Sequence, residues 1–230
     1  MKYKVFMTLI GGAAVLISTE SFAMINGFYT GVQLGQSKID VNATSLKVKD
    51  LPYLSNGNEV LLQGPSKTKV GNDGFAGRAY AGYQFNQYVS IEGGYTQYAN
   101  TKISNIYGMT GLDESLHQGA LDGVLKFMLP ITEQFHLYAK GGGAYVFSQQ
   151  IQDPTGIPSS SNASQPSSVS YKKVDVDVLR PTYGVGMSYD VTKHLSTDLT
   201  WSHVVGGNGI EQSDLLALGV SYYFNPSKSA

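Results

Sequence analysis

Between residues 75 and 98 the chain alternates without a break, in FAGRAYAGYQFNQYVSIEGGYTQY. Phe75, Gly77, Ala79, Ala81, Tyr83 and Phe85 share one side of the first run, and Val89, Ile91, Gly93 and Tyr95 continue that side beyond a joint at Asn86-Gln87. Arg78, Tyr80, Gly82, Ser90, Glu92, Gly94 and Thr96 take the other side. Successive side chains of a strand point to opposite faces, so the pattern predicts an antiparallel hairpin with an aromatic, apolar face and a small, polar, charged one. A water-soluble sheet would bury the aromatic face, and its exposed face would not be so rich in glycine and alanine. Small residues with isolated charges suit the cramped interior of a narrow closed barrel, and the aromatic face then meets lipid.

The same alternation recurs in 27–39, 116–129, 135–148, 178–190, 195–205 and 215–224, which makes eight predicted strands. The connections alternate in length. Segments 40–73, 103–115, 151–171 and 206–213 are long, whereas 86–87, 130–134 and 190–193 are short. Even strand number, brief turns at one end and longer loops at the other predict an all-β, eight-stranded antiparallel up-and-down transmembrane β-barrel of the outer membrane, with the long loops extracellular. Lipid offers unpaired backbone groups no partner, which excludes an open sheet. Pro181 lacks a ladder donor, so it is expected near the loop end of its strand. Residues 159–170 hold seven serines in twelve positions, a composition that cannot pack a core and predicts a mobile loop.

Composition narrows the setting. Only 14% of residues are charged, against an ordinary quarter, and 27 glycines with 16 tyrosines point away from helices. The absence of cysteine removes disulfide scaffolds and thiol chemistry. Lys2 and Lys4 precede an apolar run from Val5 to Ile17, and Ser21-Phe22-Ala23 carries small residues where a signal peptidase reads them, so residues 1–23 are expected to be a cleaved signal peptide. The barrel then occupies 24–224, followed by a short tail, 225–230. Removing the leader leaves 14 basic and 16 acidic residues, a balance that predicts no nucleic-acid partner.

YTGVQLG (29–35), AGYQFNQYVSIEGGY (81–95), LKFMLPITEQFHLYAKGGGAYV (125–146) and LALGVSYYF (216–224) together resemble the eight-stranded transmembrane domain of the outer membrane protein A family, over about residues 27 to 224. The resemblance implies insertion by the outer-membrane assembly machinery, read from Gly219, Tyr222 and Phe224 of the last strand. It also implies an interior salt-bridge network and, at most, small or occasional conductance. NPSKSA follows Phe224, whereas many lone barrels end on the aromatic. The peptidoglycan-binding domain of the family's large members has no counterpart in these 230 residues.

Arg78, Glu92, Asp122, Lys126, Lys140 and Asp198 lie in the inward register with the glycines and serines, three bases and three acids. They read either as a gated ion path or as a closed core of ion pairs, each base reaching an acid on an adjacent or facing strand. An eight-stranded interior is only about wide enough for side chains, which favours the closed core. In the resembling family Glu92 and Lys126 match interior charges and Lys140 stands for an arginine, while Ser188 and Asp198 replace a glutamate and an arginine.

Little chemistry is expected. Strand parity sets Ser202 inward and His203 outward, so these neighbours, weighed with Glu211, form no dyad. His117 and His136 fall at opposite ends and cannot share a metal, and neither a metal nor a cofactor is expected. Asn42-Ala-Thr and Asn162-Ala-Ser match a glycosylation pattern that a bacterial envelope protein has no use for. Two function classes follow: a monomeric structural anchor presenting surface loops for envelope integrity or adhesion, or a small diffusion channel. Expected partners are outer-membrane lipid and lipopolysaccharide, the assembly machinery, and a host or surface receptor at the loops.

Overall fold

The computed structural model describes residues 25–41, 51–55, 58–62, 69–104, 114–152, 172–207, 209–224 and 227–228. The expected leader and the serine-rich stretch 159–170 lie outside them. Eight long strands form the body: β1 (Ile25–Ile39), β2 (Asp73–Gln84), β3 (Val89–Gln97), β4 (Gln118–Pro130), β5 (Phe135–Gln152), β6 (Lys172–Asp190), β7 (Leu195–Val204) and β8 (Ser213–Tyr223). Each pairs antiparallel with its neighbours in chain order, and β1 closes the ring on β8 from Tyr29 opposite Tyr223 to Ile39 opposite Ser213. Closure leaves the sheet no free edge strand, which a bilayer interior demands.

The pleat separates two environments. On one face Phe28, Phe75, Leu121, Leu125, Phe127, Leu129, Leu179, Val185, Leu218 and Phe224 are exposed, a girdle of apolar groups around the outside. On the other, Arg78, Glu92, Lys126, Lys140 and Asp198 are each no more than 7% exposed, beside buried tyrosines, serines and threonines. Apolar-out and polar-in is the arrangement that lipid selects.

The three short turns share one construction. Turns Phe85–Tyr88, Ile131–Gln134 and Val191–His194 are closed by Phe85 N to Val89 O (3.0 Å), Ile131 N to Phe135 O (2.9 Å) and Val191 N to Leu195 O (2.9 Å). In each, the second residue's side chain accepts backbone N–H groups: Asn86 from Tyr88 (2.8 Å) and Val89 (2.9 Å), Thr132 from Gln134 and Phe135, Thr192 from His194 and Leu195. This is the turn chemistry of Asn and Thr, and it sets four-residue turns where the alternation alone suggests a two-residue joint at 86–87.

The other end departs further from the sequence expectation. Segment 40–73, expected to be all loop, contains a hairpin, Leu51–Ser55 with Asn58–Leu62. Lys69–Gly71, Thr101–Ser104 and Glu114–Leu116 form a three-stranded sheet that prolongs β2, β3 and β4 beyond the barrel. Ile103, at its centre, is fully buried. Strands of three or four residues are too short to show a period, so alternation could not reveal them.

β6 likewise begins at Lys172, six residues before the expected start, and pairs with β5 throughout, from Gln152 opposite Lys172 to Phe135 opposite Tyr189. Pro181 therefore sits in the middle of its strand, not at its end. Pairing with β7, however, stops at Thr182 opposite Val204, and Val205 N donates to Pro181 O at 3.0 Å. N–H and C=O of one strand residue point to the same side, so the missing donor falls just where that ladder ends.

Candidate functional site in the barrel interior

Three strata fill the lumen. Nearest the short turns, His136 Nε2 lies 3.1 Å from Asp190 Oδ2, and the ring of Tyr29 stacks on Tyr223 at 4.9 Å. Nearest the loops, Ile39, Ala76, Tyr98, Ala120, Ala144, Val146, Val204, Ile210, Leu215 and Ala217 form a buried apolar cluster. A polar stratum lies between them.

That middle stratum has two halves. In one, Arg78 grips Asp122 with both ends of its fork (Nε to Oδ2 3.0 Å, Nη2 to Oδ1 2.5 Å) and reaches Glu92 Oε2 at 3.3 Å. Glu92 also accepts from Lys126 Nζ at 3.2 Å and from the Tyr29 hydroxyl at 3.0 Å. In the other, Asp198 accepts from Gln33 Nε2 (2.6 Å), Thr200 Oγ1 (2.6 Å), Tyr138 OH (3.2 Å) and Tyr80 OH (3.4 Å). The Tyr138 and Thr200 hydroxyls are also hydrogen bonded to each other. Cations bridge the halves through ring faces: Lys126 Nζ lies 4.2 Å from the Tyr138 centroid and Arg78 Cζ 4.7 Å from that of Tyr80.

The geometry brings together four of the six predicted charges, Arg78, Glu92, Asp122 and Lys126, and leaves two apart. Among the described residues Lys140 has no carboxylate within ion-pair distance, and Asp198 is held by hydroxyls and an amide without a cation. The expectation that every base reaches an acid therefore fails at Lys140. The alternation puts Tyr80 on the inward face with Arg78, and the same period in 27–39 and 135–148 puts Tyr29 and Tyr138 there, but it does not reveal their role as the donors that satisfy Glu92 and Asp198. The signal was their parity with the acids, since a buried tyrosine requires a partner for its hydroxyl.

Glycines shape the sockets for these rings. A Cβ added at Gly31 would lie 2.5 Å from Tyr80 Cζ, at Gly82 2.6 Å from Tyr29 Cζ, and at Gly186 2.5 Å from Tyr138 Cζ. Gly94 is crossed by the Arg78 guanidinium, 2.8 Å from the added carbon.

The residues weighed for catalysis stand apart. Ser202 faces the lumen, whereas His203 packs outside against Tyr183 and Trp201, with Nδ1 2.9 Å from Asp214 Oδ1. His117 pairs with Asn100 at the loop end, whereas His136 lies at the turn end of the neighbouring strand, so the two stand at opposite ends of the barrel wall. Of the proposed assembly signal, Gly219 is buried beside Asp198, while Tyr222 and Phe224 point outward in edge-to-face contact at 5.3 Å.

A closed eight-stranded barrel with an apolar belt and a polar, filled lumen defines an integral outer-membrane protein of Gram-negative bacteria. The chain belongs to the family of the OmpA-like transmembrane domain, whose family model matches residues 23–228. It is 28% identical over 219 residues to an uncharacterized protein of Coxiella burnetii, covering 86% of this chain and 85% of that one. To outer membrane protein A of Shigella flexneri it is 27% identical over 235 residues, covering 94% of this chain and 56% of the relative, so it spans about half the length of that protein. The crystal structure of Neisserial surface protein A has the same fold, with a TM-score of 0.52 and 16% identity over 86% of this chain and 97% of the other.

Proposed function

We propose that this protein is a non-enzymatic membrane anchor whose barrel holds a loop platform at the cell surface for envelope integrity or adhesion. The observation that carries this reading is the filled lumen: an apolar cluster crosses the loop end above an interlocked polar stratum. Strong hydrogen bonds and ion pairs that interlock across the lumen serve shape rather than passage. The loop end supports the second half of the reading. Prolonging three wall strands into an ordered sheet outside the barrel stiffens that end, as a rigid scaffold for contacts requires. The assembly machinery and lipopolysaccharide are the envelope partners in this reading, the receptor is a surface molecule met by the loops, and the protein works as a monomer.

Two measurements test it. In a planar bilayer the protein should show rare, small conductance events or none. Frequent, stable openings whose ion selectivity changes in Asp198→Asn would replace the anchor with the channel. A peptide tag inserted within 159–170 should be detected by antibody on intact cells, and detection only after the envelope is opened would invert the orientation.

A further inference from the structure

We propose that the cavity beside Lys140 is a binding site for one small monovalent anion of halide size, with the Lys140 ammonium and the Ser202 hydroxyl as its donors. The cavity has a volume of about 20 Å³, above the ~10–15 Å³ that one water requires, and is lined by Arg78, Asp122, Lys140 and Ser202 among others. Lys140 is 7% exposed and has no carboxylate partner among the described residues. Ser202 Oγ is buried without any hydrogen-bond partner. The two groups converge over one glycine: a Cβ added at Gly184 would lie 3.1 Å from Ser202 Oγ and 3.2 Å from Lys140 Cε. The lysine and the orphan hydroxyl, lining one space and meeting over one glycine, form a two-donor cradle.

The acids around that cradle are already engaged by other donors. The lining acid, Asp122, has both oxygens occupied by Arg78. Glu92 is taken by Arg78, Lys126 and Tyr29, and Asp198 by Gln33, Thr200 and two tyrosines. Lys140 also faces Lys126 directly across the β4–β5 ladder. A buried cation with no counter-charge in direct contact is costly, and an anion in the cavity supplies that contact. Apolar residues of the loop-end cluster, Tyr98, Val204 and Leu215, wall the space, which selects a single weakly hydrated ion over sulfate or phosphate.

The site is loaded by refolding the protein from urea into lipid vesicles in chloride, bromide, sulfate or gluconate at equal ionic strength. Chloride and bromide should raise the melting temperature saturably, by about 5 °C or more at saturation, relative to the other two. Lys140→Met and Ser202→Ala should each abolish or strongly reduce that halide increment. Crystals of the wild type grown in bromide should show an anomalous peak within hydrogen-bond distance of Lys140 Nζ and Ser202 Oγ, a result that depends on no variant. Equal melting temperatures in all four salts, a halide increment that survives in Lys140→Met, or a cavity without anomalous signal would overturn the site and leave it water-filled.

Discussion

Lys126 and Lys140 stand directly opposite each other on β4 and β5, yet only Lys126 has a carboxylate in reach, Glu92 at 3.2 Å. Glu92 is the hinge of the charged half of the lumen, because Arg78, Lys126 and Tyr29 all converge on it. Removing it strands Lys126 beside Lys140, whereas removing Lys126 leaves Glu92 with two partners. Glu92→Gln should therefore cost about 3–5 kcal/mol and Lys126→Met clearly less, read from urea unfolding in lipid vesicles. Equal losses, or a greater loss for Lys126→Met, would refute this hierarchy.

The glycine sockets predict a contrast within one residue type. Gly186→Ala drives a methyl group into the Tyr138 ring, while a Cβ at Gly123 meets nothing within 4 Å. The first substitution should lower stability by about 1–3 kcal/mol and the second by much less, measured as shifts of the unfolding midpoint. Similar midpoints for the two would show that both the ring and the Leu199 backbone carbonyl, each 2.5 Å from the added carbon, yield without cost.

The face assignment is tested on neighbouring residues of β4. Leu125 is 45% exposed on the outer belt and Val124 is 4% exposed inside. Leu125→Arg near the midplane should cost about 2–4 kcal/mol of insertion, and Val124→Thr should be mild. Wild-type folding of Leu125→Arg into vesicles would contradict the assignment.

The repeated turn construction predicts three similar effects. Asn86→Ala, Thr132→Ala and Thr192→Ala each remove the side-chain oxygen that accepts two backbone N–H groups. Each should lower stability by about 0.5–1.5 kcal/mol, with no effect on loop-end antibody binding. A null result at all three positions would mean that water replaces the lost acceptor without penalty.

Alternation alone determined the strand number, the face of nearly every strand residue and the membrane setting, because a period of two is a local property and lipid punishes a charge on the wrong side. It carried Arg78, Glu92, Asp122, Lys126, Lys140 and Asp198 to the inward face. It could not say which of them touch. Partners such as Gln33 and Asp198 are separated by 165 positions in the chain, and they meet only because β1 closes on β8 and β7 lies next to it. The tertiary structure also decided that Lys140 has no acid in ion-pair contact among the described residues, that tyrosine hydroxyls satisfy Asp198, and that short strands prolong the wall beyond the barrel. These outcomes depend on side-chain reach across a closed ring and on pairing between segments too short to carry a period, and neither is written in local sequence.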